Sequence, residues 1–250
     1  MILADDNFAT IVKAVREGRA LFDNIRKFLR YLLSSNMGEV LTVFFGVVGA
    51  GVLGLNASDA GAGHAVVLPL LATQILWINL VTDSGPALAM GVDPTTGDVM
   101  ARPPRRRSDR VIDARMWSGV IQIGAVMALV TLLTIDLYLP GGLIDGTHEL
   151  ANARTAGFTV LVLAQLFNCF NTRSDRTSAF VNPFVNRWLW GSIALAVLLQ
   201  VAVVHLAFLN LAFGTVPLSF EQWALCTAMA SAVLWTSELR KLVVRTWLAR

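Results

Sequence analysis

Uncharged apolar blocks as long as a lipid bilayer is thick constrain this chain more than any other feature. Met116–Ile135 and Thr155–Thr172 carry no charged residue. Trp188–Phe220 holds only His205 as an ionisable group, and the run from Ala65 stays uncharged until Asp83. About 20 apolar residues cross the hydrocarbon core as a helix. Only helices and closed barrels satisfy their backbone polar groups in lipid. Blocks of this length therefore predict an all-α membrane protein. Six transmembrane helices are expected, at about 32–54, 65–91, 115–139, 154–172, 188–211 and 219–239. The last two form one apolar run, cut at the turn Gly214-Thr-Val-Pro217.

Basic residues set the expected orientation. Six precede the first span (Lys13, Arg16, Arg19, Arg26, Lys27, Arg30), and six lie between the second and third, from Arg102 to Arg115. With Arg173, Arg176 and Arg187, and four more in the tail, 19 of the 20 Lys and Arg fall on one side; Arg154 is the exception. The positive-inside rule then places both termini in the cytoplasm. The net charge of +3 is a topology signal, and no nucleic-acid partner is expected. The two cysteines, Cys169 and Cys226, lie inside apolar spans with no metal or disulfide spacing.

The segment before the first span has a helical period of apolar residues, led by a capping run, Asp5-Asp-Asn7. It predicts a cytoplasmic helix that continues into the membrane. Within the second span, Gly85-Pro86 is expected to interrupt the helix and free carbonyls beside Asp83.

Charge inside an apolar span marks function by default. Asp83 is such a residue, and Asn79, Thr82 and Asp83 stand at i, i+3 and i+4 on one face. Asn36 and Glu39 repeat the pattern on the preceding span. Gln165, Asn168 and Asn171 recur every third residue on the fourth span, where amides commonly join helices. Asp136, Glu221 and Glu238 lie near span ends, where snorkelling accounts for them. If Asn36, Glu39, Asn79, Thr82, Asp83 and Gln165 converge, they supply an all-oxygen shell with two negative charges. Such a shell suits one hard divalent cation and no soft metal. A proton relay uses the same groups.

Leu3-Ala-Asp-Asp-Asn-Phe-Ala-Thr-Ile11, Arg30-Tyr-Leu-Leu-Ser-Ser-Asn36, Gly38-Glu-Val40, Trp77-Ile-Asn-Leu-Val-Thr-Asp83 and Met100-Ala-Arg-Pro-Pro104 resemble the C-terminal membrane half of P-type cation-transporting ATPases, nearest the type II Ca2+ pumps. The resemblance covers essentially the whole chain. It implies that residues 1–8 are the end of a phosphorylation domain and 9–31 a stalk helix. Residues 32–91 would be the ion-binding helix pair, 92–114 a basic cytoplasmic loop, 115–239 four supporting helices and 240–250 a cytoplasmic tail. It also implies that Asn36, Glu39, Asn79, Thr82, Asp83 and Gln165 fall on cation ligands, with Ca2+ as the transported ion. Gln165 stands where two-Ca2+ reticulum-type pumps have Glu and plasma-membrane-type pumps have Gln, a departure that counts against two ions per cycle without fixing the number.

No Asp-Lys-Thr-Gly phosphorylation motif and no Thr-Gly-Glu motif occur in these residues. ATP and Mg2+ would act only through cytoplasmic domains outside them, and the chain alone is expected not to hydrolyse ATP. Its expected partners are the bilayer, the transported cation and the N-terminal half of a pump or a complementing chain. A bacterial cell membrane is the expected location, since Arg outnumbers Lys 17 to 3. A secondary transporter and a non-catalytic membrane partner of another pump subunit are the alternatives; an internal repeat would favour the former, and none is found.

Overall fold

The computed structural model describes residues 8–53, 55, 67–94, 99–101, 103, 111–141, 143–144, 146, 149–173, 178–181 and 183–248. Among these, the regular elements are all helices. The Asp5–Asn7 cap, the residue 1–8 remnant short of Phe8, and most of the basic loop lie outside the described residues.

Helix α1 runs unbroken over Phe8–Val48, the continuous helix that the apolar period predicts. Its buried face is polar and small: Asn24, Lys27, Tyr31, Ser34, Ser35, Gly38, Glu39, Thr42 and Gly46. Its exposed face carries Val40, Phe44, Phe45 and Val48. This reverses the pattern of a water-soluble amphipathic helix. It is the arrangement expected where lipid is the solvent and polar groups turn inward. The helix stops at Val48 rather than 54, because Gly49-Ala-Gly51 opens a turn in which Val52 donates to the Gly49 carbonyl.

The second predicted span begins later than 65 and is not uniform. Helix α2 covers Ala72–Trp77, a π-helical segment Ile78–Asp83 follows, and α3 covers Ser84–Gly91. Gly85-Pro86 does not unwind the chain. The irregularity falls one turn earlier, and π turns concentrate at functional sites. Pro86 has no N–H for the Thr82 carbonyl, its i−4 acceptor. Tyr31 fills that place, its hydroxyl donating to Thr82 O at 2.8 Å. The carbonyl expected to be free is thereby used.

Helices α4 (Ala114–Tyr138) and α5 (Leu150–Thr172) match the third and fourth spans closely. Asp113 caps α4, accepting from Met116 N at 2.7 Å. Helix α5 is buried on all sides, from Ala153 to Thr172, and forms the axis of the bundle. Helix α1 packs along α4, α4 along α5, and α5 along α8. The α1–α4 contact is close because Gly124 faces Met37 and the backbone of Gly38; a Cβ on Gly124 would lie 2.7 Å from Met37 Cγ.

The fifth span, expected at 188–211, breaks at Leu206 into α6 (Arg187–His205) and α7 (Ala207–Phe213). The Val203 carbonyl, left without its helical donor, accepts from Thr215 Oγ1 at 2.7 Å. Gly214, at φ 59°, ends α7 in the left-handed region that glycine favours. Helix α8 spans Phe220–Leu248, well past the expected end at 239. Four helices among the described residues, α1, α4, α5 and α6, are long and apolar enough to cross a membrane.

Candidate cation site

Helix α1 brings Glu39 to the centre of the bundle, where it is 5% exposed. Two amides reach it from different helices. Asn79 Nδ2 donates to Glu39 Oε2 at 2.8 Å, and Gln165 Nε2 donates to Glu39 Oε1 at 2.9 Å. Thr82 Oγ1 lies 3.1 Å from Gln165 Oε1 and also contacts the Ile78 carbonyl in its own helix. Glu39, Asn79, Thr82 and Gln165 therefore form one connected group across α1, the π segment and α5.

Asp83 adjoins this group at 3% exposure. Both of its carboxylate oxygens are buried and neither has a hydrogen-bond partner. Buried carboxylates are ordinarily paired, because leaving one alone costs several kcal/mol. The π turn aims Thr82 and Asp83 inward together.

Asn36 is not part of the group. It is exposed, and its amide donates to the Leu32 carbonyl at 2.9 Å. Residue i−3 lies about 60° from Glu39 around the helix, whereas i−4 lies about 40° away on the other side. The i−4 residue, Ser35, is the fully buried one, and its hydroxyl has no partner. The other α5 amides join helices as expected: Asn168 donates to Ser34 Oγ at 2.7 Å and Asn171 to the Val233 carbonyl at 3.0 Å. Both cysteines are free and buried.

A family described as "Cation transporting ATPase, C-terminus" matches residues 67–243. The chain belongs to this family. It is 38% identical to a calcium-transporting ATPase of Bacillus subtilis (strain 168), over 92% of this chain and 24% of that protein. It is also 35% identical to calcium-transporting ATPase 3, endoplasmic reticulum-type, of Arabidopsis thaliana, and 31% identical to number 4 of that type; each similarity covers 98% of this chain and 26% of the relative. The chain spans about a quarter of the length of these curated relatives. It is an integral membrane protein, the C-terminal membrane portion of a cation ATPase.

Three features of this membrane portion escape a reading of the sequence. Tyr31 is one, because its role depends on the acceptor Pro86 leaves behind. Asp136 is another: it is fully buried and does not snorkel, its carboxylate accepting from Leu143 N at 2.8 Å and Ile144 N at 3.1 Å. The third is Asp93, just past the end of α3. Lys27 Nζ lies 2.6 Å from its Oδ2, while Arg173 Nε at 3.3 Å and Asn186 Nδ2 at 3.0 Å reach its Oδ1. Asn24 donates to its backbone carbonyl at 2.8 Å. Lys27 and Arg173 count as topology charges in the sequence, yet they make a buried junction of α1, α3, α5 and α6. The Gly91-Val-Asp-Pro94 run signals the helix end but not this partnership.

Proposed function

We propose that this chain is the ion-translocation part of an ATP-driven pump that carries one Ca2+ per cycle, with Asp83 and Glu39 as its two charged ligands. The observation that carries the reading is the Asp83 carboxylate, buried with both oxygens unpartnered beside a second buried acid. Ca2+ takes oxygen ligands and needs carboxylates for charge. Asn79, Thr82 and Gln165 add three neutral oxygens. Their amides now turn N–H toward Glu39; a half-turn of each would offer C=O to a cation at the same place. Asn36 would join only after α1 rotated about its axis. The names of the relatives, calcium-transporting ATPases, support this choice of ion.

In this reading all six spans cross the bilayer, with α2–α3 and α8 supplementing the four long apolar helices, and both termini face the cytoplasm. Phosphorylation, ATP and Mg2+ belong to cytoplasmic domains joined through the stalk part of α1. A bacterial cell membrane fits the similarity to the Bacillus subtilis protein. The test is Asp83→Asn in a pump that contains this membrane portion. Loss of Ca2+-activated ATP hydrolysis with normal insertion is expected. Unchanged Ca2+ dependence would remove Asp83 from the site.

A further inference from the structure

A second polar cavity lies away from the Glu39–Asp83 group, between α1, α4, α5 and α8. It encloses about 50 Å³, enough for about four water-sized groups. Arg30 from within α1, Arg115 from the first turn of α4, and Arg240 and Lys241 from the second half of α8 line it. Two carboxylates adjoin, Glu238 on Lys241 at 3.0 Å and Asp113 on Arg26 at 2.9 Å, and neither lines the cavity. Asp113 also feels Arg30. Among the described residues, neither Arg115 nor Arg240 has a carboxylate partner.

The guanidinium groups are held by backbone. Arg30 donates to the Thr172 carbonyl at 3.2 Å, and Arg240 approaches the Arg115 carbonyl at 3.5 Å. Arg240 lies directly over Gly119, where any Cβ would displace it. A further polar group faces the same space. Asn171 is 5% exposed and lines the cavity. Its Nδ2 is fixed on Val233 O, and its Oδ1 is buried with no partner.

We infer that this cavity binds the phosphate diester of an anionic phospholipid whose headgroup carries a hydroxyl. The clustered cations match the phosphate, and the Asn171 oxygen matches a hydroxyl donor. The flanking helices supply the surface for the acyl chains: Leu239, Leu242 and Val243 on α8 and Trp117 and Ile121 on α4 are exposed apolar residues beside the cations. A soluble phosphate would have no use for that surface. Basic pockets between membrane helices on the cytoplasmic side are suited to anionic headgroups. The inference uses the membrane position proposed above but not the ion site, so Ca2+ binding and lipid binding fail independently.

The test is native mass spectrometry of the full chain in detergent, titrated with phosphatidylglycerol or phosphatidylcholine, with glycerol phosphate and inorganic phosphate as soluble competitors. Phosphatidylglycerol is expected to bind selectively and to resist millimolar competitors. Removing two charges with Arg115→Gln and Arg240→Gln should weaken it about 25-fold. Arg240→Lys should restore most of the loss relative to Arg240→Gln, and Arg245→Gln, outside the cavity, should leave affinity within about twofold. Melting temperatures without lipid check that the variants fold; for a variant that does not, lipid-induced stabilisation of the wild type against phosphatidylcholine decides. Equal binding of phosphatidylcholine, or displacement by inorganic phosphate, would overturn the assignment.

Discussion

Asp83 and Asp93 stand ten residues apart, both buried to 3% exposure, and their surroundings are opposite. Asp93 holds a lysine, an arginine and an amide. Neither carboxylate oxygen of Asp83 has a hydrogen-bond partner. A buried acid whose bonds are all made fastens helices together. A buried acid whose bonds are unmade needs something else to complete it, and under the proposed function that something is the transported ion. The chain therefore separates a locked junction at one end of α3 from an open valence at the other.

The comparison breaks most sharply at Asp93. Asp93→Asn would leave Lys27 buried without this counter-charge and take a carboxylate from Arg173, which costs about 3–5 kcal/mol. Thermal unfolding in detergent should show a large fall in melting temperature, while the Ca2+ affinity of the surviving folded fraction stays near wild type. A variant as stable as wild type would show that Asp93 fastens nothing. Asp83→Asn should do the reverse: stability is unchanged or raised, because an unpartnered buried acid gives way to a neutral group of the same shape.

Tyr31→Phe sharpens the boundary between the two regions. It leaves the Thr82 carbonyl buried without a donor, at a cost of about 1–3 kcal/mol. The same loss should loosen the π turn that aims Asp83, so Ca2+ affinity should fall together with melting temperature. A fall in one without the other would separate the turn from the site.

The smallest effect belongs to Asp113, at the solvent-facing start of α4. Its cap bond to Met116 N and the neighbouring Arg26 hold its carboxyl below the usual carboxylate range. A depressed acid stabilises the fold at pH values above its unfolded pKa, and that contribution disappears as pH falls through the folded value. Asp113→Ala should cost about 1 kcal/mol at neutral pH. Wild type and variant should converge at the acid end of a pH series of melting temperatures; a constant gap would refute a charge-dependent cap.

The sequence carries the spans in its apolar blocks and the Asn79–Thr82–Asp83 cluster in its spacing, because both depend on local period alone. Glu39 is legible for the same reason, as an acid at membrane depth. Asn36 misleads because a three-residue step leaves the inner face on the side opposite Ser35. The π turn is invisible, since nothing in Ile78–Asp83 forces an extra residue into the turn; Pro86 marks trouble nearby, but the structure resolves it through Tyr31 on another helix. Asp93 and Asp136 are illegible as buried groups, because their partners are distant side chains and loop amides. Long-range pairing decides what a polar residue near a span end is doing.

The central claim is that the empty valence of Asp83 is completed by Ca2+. Equilibrium 45Ca2+ binding to the detergent-purified pump, for wild type, Asp83→Asn and Asp93→Asn at two pH values, tests it directly. One Ca2+ per wild-type molecule is expected, with weaker affinity at the lower pH because bound ligands must be deprotonated. Asp83→Asn should lower affinity by at least about 100-fold, and folded Asp93→Asn should bind normally. Wild-type affinity in Asp83→Asn would exclude Asp83 from the cation site.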